Sequence, residues 1–122
     1  MRRLLTPVIT ALLLAGAAVP AAEADDLESP YTQAAAVVGP DGVPTERKMI
    51  VNSWRVTAGQ YCIEIDPLVD VAEATVLVNS LQNGSATSRK NPGTCNRPNS
   101  VGVYVFAADG AYADHGYTIA VL

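Results

Sequence analysis

The chain has one histidine, His115, and therefore one candidate for a catalytic imidazole. His115 follows Asp114 in a stretch of turn-forming residues, and a hydrolase would need a nucleophile oriented beside it. No G-x-S-x-G sequence surrounds a serine, so the nucleophile elbow is missing. Because a lone histidine in a turn is usually solvated, we expect neither His115 nor Asp114 to be catalytic.

A second candidate for acid–base chemistry is the carboxylate pair Glu64 and Asp66. Two carboxylates on either side of a sugar can hydrolyse a glycosidic bond. Residues two apart on a strand share one face, however, and such pairs commonly form a solvated surface. The sequence also lacks a histidine pair, a cysteine cluster, a calcium-binding loop and a phosphate-binding loop. We therefore expect no enzyme activity, no metal and no cofactor.

The N-terminus carries the pattern of a cleavable signal peptide. Arg2 and Arg3 supply positive charge, residues 4–19 are mostly apolar, and Ala22-Glu23-Ala24 offers the small residues that signal peptidase accepts. The alternative is a membrane anchor, but the apolar run is shorter than the roughly 20 residues that a span needs. We therefore predict a secreted protein with a signal peptide over residues 1–24. A flexible N-terminus over 25–32 and one β domain over 33–122 would follow, with no membrane span after cleavage.

Cys62 and Cys95 are the only cysteines. Outside the cytosol, two lone cysteines in a small domain usually pair. We therefore expect a Cys62–Cys95 disulfide, with two free buried thiols as the alternative. The bond would hold the segment around Cys95, which is too polar and rich in proline to bury itself.

The basic residues suggest a binding surface. The chain has eight Lys and Arg against twelve Asp and Glu, a balance that argues against nucleic-acid binding. Three basic residues, Arg89, Lys90 and Arg97, fall within residues 82–100. A basic loop on an acidic body could meet an anionic cell-wall polymer, a glycan or a secreted protein. The alternative is that these charges only keep the loop solvated.

Aromatic residues offer a further route to binding. Trp54, Tyr31 and Tyr112 could stack on sugar rings, although aromatic residues in strands more often belong to the core. Asn83-Gly84-Ser85 matches a glycosylation sequon, but Asn-Gly is also a strong tight-turn pair. We favour the turn interpretation.

The elements that position these residues are predicted to be β-strands. Apolar and polar residues alternate over residues 60–66, 101–107 and 116–122, the pattern of half-buried strands. Apolar and β-branched runs predict further strands over residues 33–38 and 49–56.

The segment over residues 67–81 is ambiguous. Asp66-Pro67 is typical of a helix start, whereas residues 74–78 are rich in β-formers. We favour a turn over Pro67–Asp70 and a strand over about Ala72–Asn79, with a helix as the alternative. Residues 82–100 predict one long loop. The expected fold is all-β, a small antiparallel β-sandwich or barrel of about six to seven strands.

Three motifs resemble those of the small secreted β domains that are common in actinobacteria. Gly59-x-Tyr61-x-Ile63-x-Ile65-Asp66 resembles their "G-x-Y-x-V-x-F-(N/D)" strand, and Ala36-Val37-Val38-x-x-Asp41-Gly42 is similar to their opening strand and turn. Val101-x-Val103-x-Val105, Asp109-Gly110 and Asp114-x-x-Tyr117-x-Ile119-x-Val121 are similar to their closing hairpin. The resemblance implies a fold and a compartment but no activity.

These features predict a secreted, non-enzymatic β module that binds a surface, a glycan or a protein partner. The alternative is a small secreted inhibitor of an extracellular enzyme, in which the 82–100 loop enters the enzyme. Such a loop must be rigid, and a bond to Cys95 would supply that rigidity.

Overall fold

The computed structural model describes residues 24–122. The predicted signal peptide, residues 1–24, lies outside the described residues except for Ala24, the last residue of the cleavage motif. The described part contains nine strands and one short 3-10 helix, so the all-β prediction is confirmed with more strands than the six or seven expected. The strands are β1 Asp25–Asp26, β2 Ala34–Val38, β3 Pro44–Lys48, β4 Ile50–Thr57, β5 Gln60–Ile65, β6 Val76–Ser80, β7 Gly84–Lys90, β8 Ser100–Ala107 and β9 Tyr117–Val121.

The strands form two sheets that face each other as a small sandwich. Sheet 1 has the order β1-β3-β2-β9-β6, and sheet 2 has the order β4-β5-β8-β7. Every neighbouring pair is antiparallel except β1 and β3, which are parallel. The chain crosses from sheet 1 to sheet 2 at Met49, whose φ of 59° lies in the left-handed region. No helix in residues 24–122 is long and apolar enough to cross a membrane.

The core lies between the sheets and is built from every second residue of the strands. Tyr61 and Ile63 of β5 and Val103 of β8 are at most 1% exposed, as the alternation in these segments predicted. Tyr61 packs against Tyr117 of β9 with ring centroids 5.3 Å apart. Burial of these inward faces is what holds the sheets together.

The strand predicted over about Ala72–Asn79 is confirmed for Val76–Ser80 but starts about four residues later than predicted, and the alternative of one helix over residues 67–81 is wrong. A turn follows Asp66, and a single 3-10 turn, Val71–Glu73, precedes β6. Asp70 caps this turn, because its Oδ1 accepts a hydrogen bond from the Ala72 N–H at 3.1 Å.

The prediction of one long loop over residues 82–100 is wrong for its first half. β7 pairs with β8 along its whole length, from Gly84 opposite Ala107 to Lys90 opposite Val101. Its sequence is polar because it is an edge strand, where the backbone pairs on one side and most side chains meet solvent. The connection between β7 and β8 is therefore residues 91–99, and we call it the stapled segment.

Residues 25–32, predicted to be flexible, run along the edge of sheet 1. β1 pairs with β3, and the Leu27 N–H donates to the Arg47 carbonyl at 3.0 Å. Lys48 Nζ donates to the carbonyls of Ser29 at 2.8 Å and Thr32 at 2.5 Å. These contacts give the segment a defined place on the fold.

Candidate binding face

The outer face of sheet 2 carries the side chains that alternate with the core residues. Paired residues of antiparallel strands share a face, so the register defines rows of neighbours across the sheet. Successive rows are about 6.8 Å apart along the strands. The first row is Trp54, Cys62, Gly102 and Arg89, the second is Gln60, Tyr104 and Thr87, and the third is Tyr112, Phe106 and Ser85.

Four aromatic residues therefore share this surface, which we call the aromatic face: Trp54, Tyr104, Phe106 and Tyr112. Trp54, Tyr104 and Phe106 are half-buried, and Tyr112 is 49% exposed. The rings of Phe106 and Tyr112 stack with centroids 4.8 Å apart and planes tilted by 24°. None of the four belongs to the core between the sheets.

Tyr104 lies flat on the sheet. A Cβ atom built on Gly102 would be 3.1 Å from the Tyr104 hydroxyl and 3.5 Å from Cε2 of its ring. A tyrosine standing upright on a strand would carry its hydroxyl well above its neighbours. The ring therefore bends along β8 onto the space that Gly102 leaves, and the residue stays partly exposed.

A disulfide between Cys62 and Cys95 joins the stapled segment to this face, as predicted. The Cα atoms are 5.6 Å apart and the two residues are 33 positions apart in sequence. Cys62 points away from the core residues Tyr61 and Ile63, yet it is only 1% exposed because the stapled segment covers it.

The stapled segment is compact. Asn91, Asn96 and Asn99 have φ between 49° and 58°, a left-handed conformation that asparagine tolerates better than most residues. The Cys95 N–H donates to the Pro92 carbonyl at 3.2 Å, which closes a tight turn. The segment is therefore folded on itself and is not an extended strand.

Asn99 ties the stapled segment to the turn after β5. Its Nδ2 donates to the carbonyls of Val69 at 2.7 Å and of Ile65 and Asp66 at 3.1 Å. Its Oδ1 accepts from the Val71 N–H at 3.0 Å. One side chain thus contacts four backbone groups, with its two amide hydrogens shared among three carbonyls, a role that the sequence did not indicate.

The three predicted basic residues separate into two classes. Arg89 and Lys90 are adjacent in β7 and point to opposite faces. Lys90 Nζ donates to the carbonyls of Ala72 at 3.1 Å and Ala74 at 2.9 Å, so its ammonium group stabilises the fold. Arg89 on the outer face and Arg97 in the stapled segment are exposed. Neither guanidinium has a hydrogen-bond or ion-pair partner among residues 24–122.

The three aromatic residues that the sequence offered for stacking also separate. The structure brings Trp54 and Tyr112 to the aromatic face, whereas Tyr31, 94% exposed, lies in the turn between β1 and β2 of sheet 1. Tyr104 and Phe106 were missed as binding residues. Their signal was the alternation over 101–107, which placed them opposite the core valines.

Asp114 has a structural role beside this face. Its Oδ2 accepts from Arg55 Nε at 3.0 Å and its Oδ1 from the Gly59 N–H at 2.8 Å. The hydrogen bond from Arg55 makes the largest contribution to lowering the pKa of Asp114 below its usual value, and the hydrogen bond from the Gly59 N–H lowers that pKa further. Burial, with Asp114 nearby, raises the pKa of Tyr61 to about 12, and the Tyr61 hydroxyl donates to the Pro40 carbonyl at 2.8 Å.

Among residues 24–122, no three His, Cys, Asp or Glu side chains are grouped as metal ligands. Comparison with protein-family models, with curated proteins and with solved structures gave no match to this chain. The resemblance to secreted actinobacterial β domains stays a prediction. What the site can do must therefore follow from the chain's own residues.

Proposed function

We propose that this protein is a secreted, non-enzymatic β module that binds carbohydrate on the outer face of sheet 2. The observation that carries the proposal is the flat, partly exposed ring of Tyr104, with Trp54, Phe106 and Tyr112 on the same face. Four aromatic residues outside the core leave apolar surface in water, and such surface commonly marks a binding site.

The chemistry of the face suits a sugar ring. A pyranose presents apolar C–H groups on its faces and hydroxyls around its rim, so it can lie on an aromatic ring and hydrogen-bond at its edges. Gln60 and Thr87 flank Tyr104 in the same row, and Ser85 lies beside Phe106. These polar side chains can exchange hydrogen bonds with the hydroxyls.

The face is held rigid before a ligand arrives. β8 pairs with β5 on one side and with β7 on the other, and the disulfide fixes the stapled segment beside Tyr104. A preformed site loses little conformational entropy on binding. Rigidity of this kind benefits a module whose individual stacking contacts are each weak.

Secretion belongs to the same proposal. Cleavage after Ala24 would leave β1, which begins at Asp25, intact on the edge of sheet 1. A disulfide is also typical of proteins outside the cytosol. The intact mass of protein recovered from culture medium should correspond to a chain that begins at or near Asp25. Stable accumulation of the full-length Met1 form in the cytosol would contradict this.

The alternative, an enzyme inhibitor that uses the 82–100 segment, has less support. Its first half is strand β7, and the stapled segment is folded into turns rather than extended. Segments that insert as a strand into a partner offer an extended backbone. Inhibition of secreted proteases or glycosidases by the purified domain, lost on Arg97→Ala, would favour this alternative.

The test compares aromatic variants by affinity electrophoresis in gels that contain soluble polysaccharides, neutral and acidic. Trp54→Ala and Tyr104→Ala should each weaken retardation by about tenfold, because stacking contacts of this kind contribute about 1 kcal/mol or more. The matched control is Tyr31→Ala, which removes an exposed tyrosine beside sheet 1. Equal retardation of all variants, or no retardation of the native domain by any polysaccharide, would contradict the proposal.

A further inference from the structure

We infer that the carbohydrate taken by the aromatic face is a polyuronate, and that Arg89 binds the carboxylate of a uronic acid stacked on Tyr104. The inference rests on the proposed function and specifies the class of its ligand. The central position is Gly102, the one residue in the three rows of the face that has no side chain.

Arg89 stands directly beside that position. It is paired with Gly102 across β7 and β8 on the outer face, and paired residues of this kind have Cβ atoms about 5 Å apart. The hydroxyl end of Tyr104 and the ring of Pro92 occupy the space above Gly102. The Arg89 side chain therefore leaves the sheet beside the position that the end of the Tyr104 ring occupies, within reach of a sugar on that ring.

The guanidinium of Arg89 is available for a ligand, unlike three of the six cationic side chains in residues 24–122. Lys48 and Lys90 donate to backbone carbonyls, and Arg55 forms an ion pair with Asp114 at 2.9 Å. Arg89, by contrast, is exposed and has no partner of either kind within residues 24–122. Arg97, also unpaired there, lies in the stapled segment and adds a second positive charge at the same end of the face.

Charge complementarity selects an acidic ligand at this end. The chain as a whole has a formal net charge of −4, so its general field repels polyanions and attraction must be local. Arg89 is the one charged residue within the three rows of the outer face, and Glu64 lies one row beyond them, paired with Ser100. The nearest charge to Tyr104 within these rows is therefore positive.

The geometry favours a uronate over other anionic polymers. A hexuronic acid carries its carboxylate on the same ring that stacks, so a ring on Tyr104 presents that carboxylate a short distance from the ring edge. A guanidinium can bind a carboxylate through two parallel hydrogen bonds. A polyol phosphate chain supplies negative charge but has no ring to stack.

The experiment measures binding of an oligogalacturonate to the full mature domain by calorimetry. The control ligand is the same oligomer with its carboxylates methyl-esterified, which keeps the rings and removes the charge. The variants are Arg89→Ala, Arg89→Lys and, as a matched loss of one charge in sheet 1, Arg47→Ala. A polyol phosphate of similar length serves as a polyanion without rings.

Arg89→Ala should weaken binding of the acidic oligomer by about tenfold, the loss expected for one bidentate charged pair, and leave the esterified oligomer unaffected. Arg89→Lys should recover only part of the affinity, and Arg47→Ala should have little effect. Equal effects of Arg89→Ala and Arg47→Ala, or tighter binding of the polyol phosphate, would overturn the inference. Binding of the esterified oligomer alone would overturn the inference and leave the proposed function standing. Binding of neither oligomer, nor of any polysaccharide in the gels, would overturn both.

Discussion

Pro92 lies directly over Gly102, so that a Cβ atom on Gly102 would be 2.9 Å from Pro92 Cγ. Such a distance is shorter than real Cβ contacts, and the proline ring is stiff. The Tyr104 hydroxyl is 3.1 Å from the same point. The absence of a side chain at residue 102 therefore positions both the stapled segment and the flat ring of Tyr104.

Gly102→Ala should weaken polysaccharide binding as well as lower stability. The added methyl group must displace Pro92 or lift the Tyr104 ring from the sheet, and overpacking of this kind costs about 1–3 kcal/mol. We expect a modest fall in melting temperature and a loss of polysaccharide retardation close to that of Tyr104→Ala. The matched control is Gly93→Ala, because no atom lies within 4 Å of a Cβ built there. Unchanged binding by Gly102→Ala would show that the ring position is irrelevant.

Asn99→Ala should be among the most destabilising single substitutions in the connections. It removes the partner of the Val71 N–H and of three carbonyls, and it places alanine at a φ of 58°. We expect a loss of about 3 kcal/mol in the free energy of unfolding.

Asn96→Ala is the matched control for Asn99→Ala, measured in the same urea titration. Asn96 has nearly the same φ, 51°, but it is exposed and its side chain makes no hydrogen bond within residues 24–122. Only the backbone penalty of about 1 kcal/mol is expected. Similar losses for the two variants would mean that the hydrogen bonds of Asn99 contribute nothing.

The sequence predicted the strands that have an apolar alternation or a β-branched run, including the edge strands β4 and β6, and missed the polar strands β1, β3 and β7 at or near the edges. β5 and β8 lie in the middle of sheet 2, so burial of one face imposed a readable alternation. β7 is an edge strand, and β3 has only two residues of β1 beyond it. Their sequences, Gly84–Lys90 and Pro44–Lys48, are polar because edge strands avoid exposed apolar side chains, and such sequences look like loops.

The candidate site was predictable only in part, for a related reason. The disulfide could be predicted because the chain, with the sequence pattern of an exported protein, has only two cysteines. The alternation also put Tyr104 and Phe106 on the outer side of β8. The grouping of Trp54 with Tyr104, however, depends on the order β4-β5-β8 and on its register, which local sequence does not specify. The hydrogen bonds from Lys90 to two carbonyls depend on the position of the turn before β6, so they could not be predicted from local sequence either.

Loss of the disulfide should lower stability more than it lowers the contribution of Arg89 to binding. The bond closes a span of 33 positions, which corresponds to about 3–4 kcal/mol of unfolded-state entropy. Arg89 lies in β7, whose pairing with β8 does not need the bond. We therefore expect Cys62→Ala/Cys95→Ala to unfold at much lower urea while Arg89→Ala still weakens polyuronate binding in that background. Alkylation of both cysteines without prior reduction in the native protein would refute the premise.

Asp114 should make stability depend on acidity. Its folded-state pKa is lowered, first by Arg55 and then by the Gly59 N–H. The stabilisation is therefore complete above the unfolded-state pKa of about 3.9 and is lost as pH falls through the folded-state value. The difference in unfolding free energy between the native protein and Asp114→Asn should be constant near neutral pH and shrink below about pH 4. A difference that persists undiminished in acid would contradict this assignment. The exposure of the Arg55–Asp114 pair, 40% and 37%, means that the effect should be small.

Lys90 and Arg89, neighbours in β7, should have opposite phenotypes. Lys90→Met keeps most of the aliphatic stem but removes the ammonium that binds the carbonyls of Ala72 and Ala74. Hydrogen bonds from a charged donor contribute about 1.5–3 kcal/mol when well shielded, and this exposed lysine should fall at or below the lower end. Binding should not change, because Lys90 points away from the aromatic face. Arg89→Ala, with no partner to lose in the described residues, should alter the unfolding free energy by no more than about 0.5 kcal/mol.

The two variants thus separate folding from recognition within one dipeptide. Urea unfolding and calorimetry with the oligogalacturonate, on the same preparations, give both quantities for each variant. Because the two substitutions remove the same charge within one residue of each other, a general electrostatic effect would weaken binding equally in both. Equal losses of affinity would therefore count against a specific role of Arg89. If instead Lys90→Met lowers only stability and Arg89→Ala lowers only affinity, then the two adjacent side chains, which point to opposite faces of β7, have different roles. Lys90 stabilises the fold and Arg89 binds the ligand.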